Sequence, residues 1–478
     1  MLHSARSRPR RRLAVAVLGA LAVLAVSCTS SDDETSTDGD TTTTAAGGAA
    51  TTDADAPSTT GGDAPSTTAG SATTEPMELT ASSRGVTADT IKLGVSMLDF
   101  GYLTENNFSP QGWGDQQGVY QAFFDELNTR GGINGRMIDP VYTFYNPIEN
   151  TEAERACIEM TEDNEVFAVL GGFVGPAEPS NVCIPGTQST ILVGGVQDAE
   201  RLAQSNAPWL FDGSLRPRRT DVFVKLLLDE GYLTESSKVA IVAGRQAESD
   251  METVADILRD NGIDPVDVIF QDATSGDIPN EDSNWAVIAE QLEQVEADTV
   301  LGMASITSTV RGLTTNDLDV QLLVLDSGEL ASLGESVEPA AAEGAITINA
   351  LSGDELWNHE SVTECREIIA AAYPDVEFKD PSAHEEGDEQ WYNSIQAYCR
   401  RVRLFELVAT AAGADLTPET FLAAAEQQSQ FSIPGMPFSS IAPGKTDVND
   451  AFRLSVFDST QGDRGLIVSL TELTDTTP

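Results

Sequence analysis

Three histidines occur in 478 residues, and His3 lies in the leading basic stretch, which leaves His359 and His384 for acid–base or metal chemistry near neutral pH. His384-Glu385-Glu386 lacks the second histidine that a zinc-protease helix needs. Gly444-Lys445-Thr446 has the ending of a phosphate-cradling loop, but Ser439 stands where the first glycine is required. No GxSxG nucleophile elbow is present, and none of the five cysteines forms a CxxC pair. What the chain holds in quantity is carboxylate, 76 Asp and Glu against 27 Lys and Arg. Carboxylate pairs can drive hydrolysis. Here the acids are spread along the whole chain, which reads as a solvated surface. The residue types point away from an enzyme and call for no metal and no cofactor.

Cys28 carries the clearest chemical signal. Arg6 to Arg12 is basic, Leu13 to Val26 is apolar, and small Ser27 precedes the cysteine, the layout of a secretory signal. The apolar run is shorter than the roughly 20 residues of a membrane-spanning helix. Ala25-Val26-Ser27-Cys28 resembles the lipobox of bacterial lipoproteins, which implies a diacylated Cys28 as the new N-terminus after removal of residues 1–27. Ordinary cleavage near Ser27, releasing a free secreted protein, is the alternative. The formal charge is −49, and losing the five leader arginines makes it −54. Such a chain repels nucleic acid and anionic headgroups, so attachment to a cell membrane on its extracytoplasmic face must come from lipid. Residues 28–85 are dominated by Thr, Ser, Gly, Ala and Asp, too few large apolar groups to offset the entropy of ordering, and are expected to form a tether.

From Val86 onward short apolar runs alternate with amphipathic ones. Ile91 to Met97, Val141 to Tyr145, Val166 to Phe173, Ile191 to Val196 and Trp209 to Asp212 are predicted strands, with helices over Gln116 to Asn128 and Ala153 to Thr161. A second cycle begins at Val239 and runs through strands at Val266 to Phe270, Thr299 to Met303, Gln321 to Leu325 and Ala345 to Ile348. Helices at Met251 to Asn261 and Trp285 to Val295 lie between them. Two successive βαβα series predict an α/β fold with two open parallel sheets, each covered by helices on both faces. A long helix follows, its stripe Trp391, Ile395, Tyr398, Val402, Phe405 and Val408 reading as core, then a short helix from Pro418 to Gln428 and late strands Phe452 to Phe457 and Leu466 to Leu470.

Gly85 to Val95 (GVTADTIKLGV), Trp113-Gly114 and Asn128 to Arg136 (NTRGGINGR) resemble the amino-terminal half of the type I periplasmic-binding family, in particular the leucine/isoleucine/valine-binding proteins of ABC importers. The resemblance extends by element order over residues 86–474. It implies two Rossmann-like lobes joined by a hinge that the chain crosses three times. Lobe one is placed at 86–214 plus 353–428 and lobe two at 219–350 plus 446–474. Gly131, Gly132 and Gly135 read as a helix stop without ligand contact.

The resemblance also implies a ligand cleft at the carboxyl ends of the strands. From lobe one it nominates Trp113 as an apolar wall, Phe173 and Val174 in a loop that lacks the Ser/Thr cluster of amino-acid-binding relatives, and Gln197 and Asp198. From lobe two it nominates Glu248, Ser305, Asp326 and Glu329, with Asp326 first in line for a cationic group. The four cysteines beyond Cys28 allow three pairings, and in an exported protein of this architecture Cys157–Cys183 and Cys365–Cys399 are expected, each within lobe one. The implied function is that of a solute-binding lipoprotein capturing a small polar ligand, such as a branched-chain amino acid or an amide, for an ABC importer permease. A ligand-sensing receptor subunit of the same fold is the alternative.

Overall fold

The computed structural model describes residues 79–106, 108–244, 248–271, 278–333, 337–385, 387–462 and 464–478, without the side chains of 248 and 249. Cys28, the leader and the tether up to residue 78 lie outside the described residues. Both lobes belong to the unit Glu78–Pro478.

The first sheet has five parallel strands in the order β2-β1-β3-β4-β5. They are β1 (Thr90–Leu98), β2 (Met137–Tyr145), β3 (Ala168–Leu170), β4 (Ile191–Val193) and β5 (Trp209–Leu210). Leu93 to Leu98 is buried without a break, as expected of a parallel strand covered on both faces. β2 is an edge strand, which is where Pro140, lacking an N–H, can be accommodated. One face packs on the helices Gln116–Thr129, Glu360–Ala372, Trp391–Ala412 and Pro418–Ala425, so the chain beyond residue 353 returns to this lobe. The other face packs on Ala153, Cys157, Met160 and Phe173.

Strands β3 and β4 are shorter than the apolar runs predict. Gly171 at φ +96° ends one, and Gly194 and Gly195 at φ +106° and +69° end the other, because these backbones cannot continue a strand. The Gly131-Gly132 stop behaves as expected. Gly132 has φ +68°, and a Cβ there would lie 2.0 Å from the Arg136 carbonyl oxygen.

The second sheet runs β14-β13-β10-β9-β8-β6-β7. Its parallel part is β6 (Val239–Gly244), β7 (Asp267–Gln271), β8 (Thr299–Met303), β9 (Gln321–Val324) and β10 (Ile346–Asn349). β13 (Ala451–Asp458) and β14 (Leu466–Ser469) are antiparallel, and β15 (Thr474–Asp475) pairs with β13. The expectation of a wholly parallel sheet is thereby corrected. The link from β13 to β14 is too short for the crossover that a parallel pair requires. The hairpin β11 (Phe431–Ile433) and β12 (Met436–Ser439) packs on lobe one through Ile433 and Met436. Helices Arg216–Asp229, Ile306–Thr315 and Glu360–Ala372 were not among the predicted elements.

Three segments join the sheets: 211–215, 349–353 and 440–450. The first and third pair side by side, Phe211 N–H donating to Thr446 O at 3.0 Å and Val448 N–H to Phe211 O at 3.0 Å. Asp447 accepts from the Leu215 N–H at 2.9 Å and pairs with Arg218 at 2.6 Å, while Asp450 pairs with Arg218 at 2.9 Å and Lys445 at 3.2 Å. Lys445, the lysine of the P-loop-like ending, donates to the Ser440 carbonyl at 2.7 Å and is committed to this cluster. At the second crossing Arg453 grips Glu355, holding its carboxyl down at about 2.

Cys157 is bonded to Cys183 and Cys365 to Cys399, the expected pairs. They close separations of 26 and 34 residues, for which chain entropy gives about 3–4 kcal/mol each. Replacing either pair by serines should lower unfolding stability by about that amount in guanidinium titrations under oxidising conditions, with no difference between wild type and variant once reductant has opened the bonds.

Candidate functional site

A cavity of ≈ 330 Å³ opens at the carboxyl ends of β6, β8 and β9. Three loops and one helix start build it. Gly244 ends β6, and Ser305 caps the helix Ile306–Thr315 by accepting from the Ser308 N–H at 3.4 Å. Asp326 caps the short helix Ser327–Ala331, its Oδ1 accepting from the N–H groups of Gly328 at 2.8 Å and Glu329 at 3.1 Å. Glu329 completes this acidic wall. Partial desolvation, and then Asp326, push its carboxyl above the usual range, although the residue as a whole is exposed. The opposite wall is basic. Arg216 and Arg219 project from the start of the helix Arg216–Asp229, and Arg216 pairs with Asp250 at 3.6 Å. Burial lowers the pKa of Arg219, and Asp326 acts against that shift.

A second cavity of ≈ 670 Å³ adjoins the first and shares Arg219 with it. It is bounded by crossing residues Phe211, Gly213 and Leu351 and by Phe452 of β13.

In lobe one, β3 and β4 are followed by glycine loops. A Cβ on Gly172 would lie 2.4 Å from Gly195 Cα, so the loops after β3 and β4 pack backbone to backbone. Arg401 of the helix Trp391–Ala412 lies beneath them, a Cβ on Gly194 standing 3.0 Å from its Nε. Arg401 donates to Asp212 at 3.1 Å. Burial works against its charge, yet Asp212 and the nearby tyrosines outweigh it and hold the guanidinium more firmly protonated than usual.

The structure brings Ser305, Asp326 and Glu329 together on one cavity. Glu248 opens a neighbouring helix, and its side chain lies outside the described residues. The lobe-one candidates fare differently. Phe173 is buried at 0% exposure, edge-on to Tyr145 at 4.9 Å, and its backbone is pinned by Asn181, so its ring belongs to the core. Gln197 donates to the Trp209 carbonyl at 2.6 Å and accepts from Thr446 at 3.0 Å, which commits it to the crossings. Asp198 caps the helix Ala199–Ala203 and pairs with Arg201 at 3.0 Å. Val174 is exposed, and Trp113 is half-buried beside Phe100 at 5.3 Å.

Sequence reasoning does not nominate Arg216, Arg219 or Arg401. A signal is nonetheless present. Arg216-Pro217-Arg218-Arg219 and Arg400-Arg401-Val402-Arg403 are dense basic runs in an otherwise acidic chain, and both fall beside the crossings or the cleft.

No family model and no curated protein matches the sequence. Solved structures do. A possible leucine/isoleucine/valine-binding protein from Rhodopirellula baltica SH 1 aligns at TM-score 0.51 and 15% identity, covering 80% of this chain and 96% of that one. An ABC-transporter solute-binding protein from Rhodopseudomonas palustris HaA2, solved with p-hydroxybenzoic acid, aligns at TM-score 0.52 and 15% identity, covering 82% and 98%. An ABC-transporter substrate-binding protein from Desulfitobacterium hafniense, solved with Leu, aligns at TM-score 0.54 and 12% identity, covering 80% and 100%. At these identities the likeness establishes the fold, the two-lobed type I periplasmic-binding architecture.

The glycine contact gives a direct check on the lobe-one loops. Gly172→Ala should cost about 1–3 kcal/mol in urea unfolding, because the added methyl meets backbone. Gly353→Ala, whose Cβ would find only Pro381 at 3.7 Å, should stay within about 0.5 kcal/mol.

Proposed function

We propose that this protein is an extracytoplasmic solute-binding lipoprotein, anchored through Cys28, that captures a small polar ligand between its lobes and delivers it to the permease of an ABC importer. A branched-chain amino acid, an amide or a related compound is the size and polarity expected. The protein is a binder and not an enzyme. The observation that carries this reading is the charged cavity at the carboxyl ends of β6, β8 and β9, where open α/β sheets bind ligands, adjoining a second cavity walled by the crossings. In this reading Ser305, Asp326 and Glu329 meet polar groups of the ligand from lobe two, while Val174 and Trp113 offer apolar contact from lobe one. The solved neighbours support it, since their ligands, Leu and p-hydroxybenzoic acid, are small solutes.

Closure follows from the architecture. A ligand that touches both lobes binds the closed form better and shifts the population toward it by hinge motion at the crossings. A thermal-shift screen of amino acids, amides and small organic acids should find a binder. At a hundredfold excess over its Kd, that binder adds about 2.7 kcal/mol of stability. Small-angle scattering with saturating binder should show a smaller radius of gyration; an unchanged radius contradicts hinge closure. Anchoring is tested separately. Cys28→Ala should move the protein from the membrane fraction to the medium, and a wild type already soluble after secretion contradicts the lipid anchor.

A further inference from the structure

Arg219 and Arg400 are, among the described residues, the arginines with neither a hydrogen bond nor a carboxylate within 4.0 Å. In this acidic chain that is out of line. Surface arginines such as Arg130, Arg155 and Arg259 each hold two carboxylates. Arg400 belongs with Asp212 and Arg401, whose charges act on it. Arg219 stands apart. Its Nε is buried without a partner, and it lines both cavities of the cleft region. A buried donor left unmade costs free energy until something accepts from it. Asp326 influences Arg219 from beyond ion-pair distance, and its Oδ1 is already taken by the two backbone N–H groups it caps.

The two cavities differ in kind. The smaller is charged, with Asp326 and Glu329 on one wall. The larger has Phe211, Ile348, Leu351 and Phe452 among its lining residues and one carboxylate, Asp354, and Arg219 is the sole cation among the described residues there. A guanidinium presents a fork of donors that matches a carboxylate in two parallel bonds. The acidic wall opposite disfavours a dianion such as a phosphate monoester, so a single negative charge fits best.

We infer that Arg219 binds a carboxylate of the ligand, and that an apolar part of the ligand occupies the larger cavity against Phe211, Ile348, Leu351 and Phe452. The inference rests on the solute-binding reading and adds to it a charge requirement and the residue that imposes it. Polarity is thereby assigned in lobe two itself, to an arginine that follows a crossing rather than a strand.

The test is calorimetry on the full mature chain with matched pairs that differ only at the carboxylate: hexanoate and hexanamide, benzoate and benzamide, leucine and leucinamide. In wild type at least one carboxylate should bind, tenfold or more tighter than its amide. Arg219→Gln should erase that preference while keeping the wild-type circular dichroism, and Arg219→Lys, with the charge but not the fork, should keep part of it. Equal or tighter binding of the amides, or a preference that survives in Arg219→Gln, overturns the inference. Binding of only neutral or cationic solutes in the wider thermal-shift screen also overturns it and leaves the solute-binding reading standing. If nothing in that screen binds, both fall.

Discussion

The buried charges that clamp the first crossing to the third are the constraint on which the remaining arrangement depends. Arg218 reaches Asp447 and Asp450 together, and Lys445 closes the group from the other side. Buried ion pairs of this kind contribute little to net stability, because desolvation offsets their attraction, but losing one partner leaves a charge stranded at a cost of about 3–5 kcal/mol. Their value is geometric. They fix where the helix Arg216–Asp229 begins, and that start carries Arg216 and Arg219 to the cavity. The crossings and the basic side of the charged cavity are therefore parts of one short stretch of chain.

The two lobes come to the cleft with different chemistry. Lobe one brings tightly packed glycine loops whose neighbouring polar side chains are largely committed: Tyr145 donates to the Gly172 carbonyl, Trp209 to that of Gly194, and Gln197 to that of Trp209. Lobe two brings charge of both signs, Arg219 against Asp326 and Glu329. In the proposed function, recognition falls mainly to lobe two, with lobe one supplying shape and backbone. Two disulfides within lobe one suit that role, since they stiffen the lobe whose loops must hold a close backbone contact.

Much of this architecture was legible in the sequence. The apolar strands β1, β6 and β8 and the long stripe from Trp391 to Val408 stood out because each is buried over most of its length or along one face. The helix Arg216–Asp229 escaped because Arg-Pro-Arg-Arg masks its apolar face, which only begins at Thr220 and Val222. The antiparallel return of β13 and β14 could not be read from strand patterns that look alike in either direction. At the charged cavity the candidates Asp326, Glu329 and Ser305 come together, and they could be nominated because they lie in the loops and helix starts that come after strands. Gln197 and Asp198 follow a strand too, yet they face the crossings and a helix start, a difference that depends on tertiary packing. Arg219, which lines the same cavity, was not nominated because it follows a crossing, not a strand.

The proposed function centres on capture of ligand between the lobes. Hydrogen–deuterium exchange with and without the strongest binder from the thermal-shift screen tests it most directly. Protection should rise together in the lobe-one loops 171–175 and 194–197 and in the lobe-two segments 302–306 and 324–329. Protection confined to one lobe, or to a surface away from both, would contradict capture between them.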